Sequence, residues 1–156
     1  MKRLTLPSLL AAFAVMLLSS IAAPAQSQDP LIGTWNLSGA AGGSAFIAVM
    51  TFNAGGTTVE YDTAGTNSSA SPGESISLGK WGKTGSSAYM FKEENYDYDS
   101  SGDLASLTVT SCALTLASNQ KSFTDQCTVS FYTCSVTSCP GTLISSTSAT
   151  ATGRRF

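Results

Sequence analysis

The residues of this chain that come nearest to chemistry are its carboxylates. Glu93, Glu94, Asp97 and Asp99 crowd one stretch, with Asp103 close by. Side chains alternate along a β-strand, so Glu93, Asp97 and Asp99 would share one face. Paired carboxylates for proton transfer are therefore geometrically available. A solvated strand end accounts for the same residues with no chemistry at all. The run from Asp97 to Asp103 also opens like a calcium loop, with oxygen ligands at alternate positions ahead of Gly102. Its twelfth position is Thr108, where such loops need a bidentate Glu, and a hairpin turn explains the run more simply.

Other chemistries are narrowed by what the chain lacks. There is no His, which removes Ser-His-Asp and Cys-His schemes. Four cysteines, Cys112, Cys127, Cys134 and Cys139, are spaced by 15, 7 and 5 residues. Without His or tight paired spacing they make a poor metal set, and an even count in an exported chain points to two disulfides. No metal and no cofactor are expected.

Export is read from the N-terminus. Lys2 and Arg3 precede a nearly unbroken apolar run from Leu9 to Leu18, and Ala23-Pro24-Ala25 offers small residues where a signal peptidase reads. Residues 1–25 are expected to be a cleaved signal peptide and residues 26–156 a single domain, periplasmic or extracellular. Of the eight basic residues, two lie in this leader, leaving six against ten acidic ones and a net charge of −4. That balance and the absence of a basic stripe make nucleic acid a poor partner. The closing residues Thr150, Thr152 and Arg154 do not alternate apolar side chains toward lipid, so the mature chain is not expected to span a membrane. The oligomeric state is open.

The elements that would position any site read as strands. Leu31 to Leu37 is broken by Gly39-Ala40-Ala41-Gly42-Gly43. Ala45 to Asn53 has apolar residues on both faces, which suggests burial on both sides or a patch covered by a loop. Thr57 to Tyr61 follows, with Thr57, Val59 and Tyr61 on one face. After a polar loop from Asp62 to Gly73 come Ser75 to Lys83, Ser87 to Tyr98, Leu107 to Ala117, Ser122 to Thr133 and Gly141 to Gly153. That is about eight short strands with no helical period, an all-β chain. A single antiparallel meander barrel is the expected architecture, since closure removes both edges; a β-sandwich is the alternative.

Register singles out one cysteine pairing of the three possible. If Ser118 to Lys121 is a four-residue hairpin loop, Leu116 faces Phe123 and Cys112 falls opposite Cys127. Cys134 and Cys139 would then close the next turn.

The order of short motifs resembles the lipocalin and calycin barrels, and more closely a set of small exported bacterial calycin-like proteins of unassigned activity. The carrying residues are Leu31-Ile32-Gly33-Thr34-Trp35, Thr51-Phe52-Asn53 with Gly55-Gly56-Thr57, Ser71-Pro72-Gly73, Gly79-Lys80-Trp81, Tyr89-Met90-Phe91, Tyr96-Asp97-Tyr98-Asp99 with Gly102, and Gly153-Arg154-Arg155-Phe156. The resemblance implies that Gly33 and Trp35 close one barrel end and that Arg154 or Arg155 packs over the indole, a structural contact and not a ligand site. The C-terminal lipocalin helix and the middle Thr-Asp-Tyr signature are absent.

An eight-stranded barrel is either filled or holds one small ligand. Ser, Thr and Ala on the last strand leave space, and Phe46, Met50, Trp81, Tyr89 and Phe91 could line an apolar pocket. The expected function is an exported, non-enzymatic barrel binding a small apolar or amphipathic molecule. The alternatives are an interaction or inhibitor module with a filled core, and a carboxylate-based cyclase or isomerase.

Overall fold

The computed structural model describes residues 28–62 and 73–156. The expected signal peptide and the Ser71-Pro72 turn lie outside the described residues. Nine strands are present: β1 (Gly33–Ala41), β2 (Ser44–Phe52), β3 (Thr57–Asp62), β4 (Gly73–Glu74), β5 (Ser77–Lys83), β6 (Ala88–Tyr98), β7 (Leu104–Leu116), β8 (Ser122–Thr133) and β9 (Leu143–Arg155). No helix occurs among the described residues.

Each long strand pairs antiparallel with its neighbour in sequence, β6 pairs with β7, and β1 pairs with β9 from Trp35↔Arg155 to Ala41↔Ala149. The result is a closed eight-strand meander barrel. The short β4 is the ninth strand; it pairs with β6 beyond the end of β5, so it prolongs the β5 wall.

Turn chemistry sets the registers. Gly42 and Gly43 have φ of 55° and 88°, the two left-handed residues that a tight β1–β2 hairpin of the I′ type requires. The four residues Ser118 to Lys121 do form the β7–β8 loop, closed by the Ala117 amide donating to Ser122 O at 2.9 Å. Leu116 consequently faces Phe123 and Cys112 faces Cys127. The disulfides are Cys112–Cys127 and Cys134–Cys139.

Two expectations about strands are corrected. β1 does not break at Gly39 but runs on to Ala41. A Cβ at Gly39 would overlap Thr150 O and Ala151 across the seam, so this glycine permits close strand approach. β2 is not buried on both sides: Phe46, Ala48, Met50 and Phe52 turn inward, while Ile47 and Val49 face outward, 62% and 41% exposed.

The lower half of the barrel is a packed apolar core. Phe52 is its hub, edge-on to Trp81, Phe91 and Phe123 at centroid distances of 6.0, 5.8 and 6.0 Å. Trp35 packs on Phe123 at 5.1 Å. Such edge-to-face pairs contribute about 0.5–1.5 kcal/mol each beyond their buried area.

Residues 29–32 form the floor beneath these rings. Trp35 Nε1 donates to Leu31 O at 2.9 Å, and Leu31 is wholly buried. Asp29 ties the floor to the wall by accepting from the Leu31 amide at 2.9 Å, from the Tyr89 hydroxyl at 2.8 Å and from Lys83 Nζ at 3.0 Å. Burial alone would push the Asp29 carboxyl up, but these three donors hold it below its ordinary value. Arg155 lies 4.5 Å from the centre of the Trp35 ring and donates to Ile32 O at 3.1 Å and to Pro30 O. Arg154 pairs across the seam with Asn36 and is exposed. Gly33, with φ of 135°, leaves room for the Arg155 guanidinium.

Candidate functional site

Above the core the barrel is hollow. A cavity of about 300 Å³ occupies its upper half. Its apolar lining comes from Leu37, Phe46, Phe91, Val129 and Phe131, and the Cys112–Cys127 disulfide crosses one wall. Five carboxylates also line it: Glu60, Asp62, Glu74, Glu93 and Asp125. That is half of the ten acidic residues in the sequence, and no Lys or Arg stands among the lining residues.

Strand register puts the acids inside. The Asn53–Gly56 turn pairs Phe52 with Thr58 and Met50 with Glu60. Phe52 and Met50 are anchored in the core, so period-two alternation carries Thr58, Glu60 and Asp62 inward and leaves Val59 and Tyr61 outside. On β8 the same logic turns Phe123, Asp125 and Cys127 inward together.

Gly79 then makes room for Glu93. It sits between Thr58 on β3 and Glu93 on β6. A Cβ there would overlap Lys92 O, Glu93 Cγ and Thr58 Oγ1. With no side chain in the way, the Glu93 carboxylate leans across β5 toward Thr58 and Glu60. Glu93 is only 2% exposed. It lies close to both groups, yet its Oε1 and Thr58 Oγ1 are buried with no well-formed hydrogen bond.

Burial acts on Glu60, Glu74, Glu93 and Asp125. It pushes Glu60 well above the ordinary carboxyl range, helped by the neighbouring charge of Glu93. It also raises Glu93, against hydrogen bonding from Thr58 and Glu60 and with the charges of Asp62 and Asp125. The two carboxyls lie close enough that ionisation of one disfavours ionisation of the other. Glu74 is raised to about 7 by burial and by the charges of Asp62 and Asp97, although it accepts from Asn95 Nδ2. Asp125 is raised to about 6 by burial, offset by the Ala151 amide donating to it at 2.7 Å.

The remaining acids of the Glu93 to Asp103 stretch are less unusual. Asp97 accepts from Ser106 Oγ at 2.6 Å and Thr108 Oγ1 at 3.2 Å. Asp99 caps the β6–β7 turn by accepting from the Ser101 and Asp103 amides at 2.8 and 3.0 Å. So the expected common face of Glu93, Asp97 and Asp99 ends at Asp97, because the chain turns at Asp99. Glu93 departs from a solvated strand end by being enclosed.

Of the aromatic and Met residues singled out for ligand contact, Phe46 and Phe91 line the cavity. Met50, Trp81 and Tyr89 lie beneath it in the packed core. Trp81 Nε1 is occupied by Asn53 O at 3.0 Å, and the Tyr89 hydroxyl by Asp29. Glu60, Asp62, Glu74 and Asp125 were not singled out from the sequence. A signal existed for Asp125, which stands two residues before Cys127 and so shares the face of the cysteine pair. Among the described residues no group of three metal-ligating side chains is placed to hold a metal ion.

The outer wall carries its own apolar surface. Val49 stands opposite Tyr61 and Val59 opposite Leu78, with Tyr61 and Leu78 61% and 54% exposed.

No protein-family model, curated protein or solved structure matches this chain. Its class rests on strand pairing and contents: a closed, eight-strand antiparallel barrel with an apolar floor and an acid-lined upper cavity.

Proposed function

We propose that this protein is an exported calycin-like barrel that binds one small amphipathic molecule inside its upper half. The observation that carries this reading is the cavity, about 300 Å³ and bounded by both apolar and polar side chains. Small-molecule sites have this size and this mixture, with a few polar groups setting orientation in an apolar lining. The packed floor supports it by giving such a molecule one way in. Phe46 and Phe91 serve as apolar contacts, while Met50, Trp81 and Tyr89 support the site from below. Two disulfides accord with an oxidising compartment, in keeping with the export expected from the N-terminal sequence.

Native mass spectrometry of protein purified from its own host tests the proposal. A retained small molecule, lost on denaturation, is the expected result. A homogeneous empty mass, with no uptake from a host extract, would reject it.

A second reading has a specific observation behind it. Glu60 and Glu93 are neighbouring carboxyls that line the cavity and are both raised by burial, as a carboxylate-based isomerase or cyclase would need. Recovery of the bound molecule chemically altered after incubation, with the change abolished in Glu60→Gln, would favour catalysis over storage.

A further inference from the structure

We propose that the upper cavity takes a small organic cation, an amine with an aromatic or alkyl body, whose ammonium group sits between Glu60 and Glu93 while its body lies against Phe46 and Phe91. This rests on the binding reading above and narrows its ligand class.

Two independent observations carry it. First, the cavity is lined by acids from four strands, Glu60 and Asp62 on β3, Glu74 on β4, Glu93 on β6 and Asp125 on β8, with no basic side chain among them. The described Lys and Arg residues, Lys80, Lys83, Lys92, Lys121, Arg154 and Arg155, are all exposed. Second, Glu93 is 2% exposed, lines this cavity, and its Oε1 is buried with no well-formed hydrogen bond. A buried carboxylate oxygen left unpaired is costly. The Thr58 hydroxyl beside it likewise makes no well-formed hydrogen bond.

Ligand classes can be ranked against this lining. An anion would meet five carboxylates. A neutral apolar molecule would bring no donor to Glu93. A metal ion lacks a converging set of ligands among the described residues. An ammonium group brings three N–H donors and a charge of the required sign. Phe46 and Phe91 can receive an aromatic or alkyl body, with a cation–π contribution if the charge lies over a ring. A cavity of about 300 Å³ falls at the small end of ligand pockets, which suits a small amine.

Entry of the cation also has a proton consequence. Burial raises both Glu60 and Glu93, and a cation between them favours both ionised forms. Binding therefore releases protons. Asp62, Glu74, Asn95 and Asp125 line the same cavity, and none supplies a positive charge that could take the ammonium's place.

A charge series on one skeleton tests this. Isothermal titration of the purified protein at pH 7.5 would compare phenethylamine, 2-phenylethanol and phenylacetate. The expected result is binding of the amine at least about tenfold tighter than of the alcohol, as one charge-assisted hydrogen bond provides, with no measurable binding of phenylacetate. The amine enthalpy should also depend on buffer ionisation heat, reporting proton release. Glu93→Gln should collapse the amine-over-alcohol preference toward unity, and Glu60→Gln provides the same test should the first variant fail to fold. Alcohol or phenylacetate binding as tightly as the amine overturns the inference and leaves the binding function standing. An unchanged preference in both variants also overturns it. Failure of all three probes overturns it too, while native mass spectrometry decides the broader function separately.

Discussion

The Arg155 guanidinium stands 4.5 Å from the centre of the Trp35 ring, and the two residues are direct partners across the β1–β9 seam. One side chain thereby links the seam, the floor and the indole at the base of the core. Its hydrogen bonds to Ile32 O and Pro30 O hold the floor segment under the barrel.

Arg155→Ala should therefore lower stability by about 1–3 kcal/mol, from loss of a cation–π contact and charged hydrogen bonds. Arg155→Lys should recover only part of this, because an ammonium cannot serve both carbonyls from a planar fork. Urea unfolding followed by Trp fluorescence measures both. Equal stability of wild type and Arg155→Ala would show that the floor stays in place without it.

Gly79→Ala should destabilise by about 1–3 kcal/mol, the usual cost of overpacking, because its methyl group would meet backbone at Lys92 as well as the Thr58 and Glu93 side chains. The same change should weaken binding of any ligand that touches Glu93. Gly82→Ala, where nothing lies within 4 Å of the added carbon, is the control. Thermal melts of the two variants distinguish them.

Stability should fall as pH rises from about 5 to 8. Glu60, Glu93, Glu74 and Asp125 all have folded values above their unfolded ones, with Glu74 at about 7 and Asp125 at about 6. For a raised acid the fold binds more protons than the unfolded chain, so stability is fully present below the unfolded value near 4 and is lost as pH climbs through the folded value. Glu60→Gln and Glu93→Gln should flatten this slope and raise the midpoint of unfolding at pH 8. Urea midpoints across pH 5 to 8 measure the slope, and an upward trend would contradict the enclosure of these acids. Asp29 has the opposite sign, since its lowered value makes its contribution fade as pH falls below about 4.

The disulfides should differ in worth. Cys112–Cys127 spans 15 residues and ties two central strands, whereas Cys134–Cys139 spans 5 and closes a loop. Loop entropy assigns roughly 3 kcal/mol to the first and roughly 2 to the second. Replacing each pair by Ser and comparing urea midpoints tests the ranking, with the larger drop expected for Cys112 and Cys127.

Much of the barrel was legible because its signals were local. A four-residue polar loop between two alternating strands was enough to set Cys112 against Cys127. Gly39 was misread as a breaker because a glycine that relieves crowding against Ala151 looks the same in sequence as one that ends a strand. The cavity acids were harder to see for a related reason. On β3 the apolar residues Val59 and Tyr61 point outward and Glu60 points inward, the reverse of the ordinary alternation, and only the anchoring of Phe52 in the core reveals it. Glu93 looked solvated because the space it occupies is created by a missing side chain on the next strand, Gly79. Phe46 and Phe91 could be read as apolar interior residues, but which aromatics line a hollow and which fill the core depends on their height along the barrel, and composition does not encode that.

The seam itself bears on how the chain reaches this state. Ile32 and Arg155 meet across a separation of 123 residues, and bringing them together costs the most loop entropy when the intervening strands are not yet paired. Assembly of such long-range pairs is slow, so the circle is completed at the end of folding. Until then β1 and β9 each offer an unsatisfied backbone edge to any other extended chain nearby, and the interval before the ring shuts is when this protein is most exposed to aggregation.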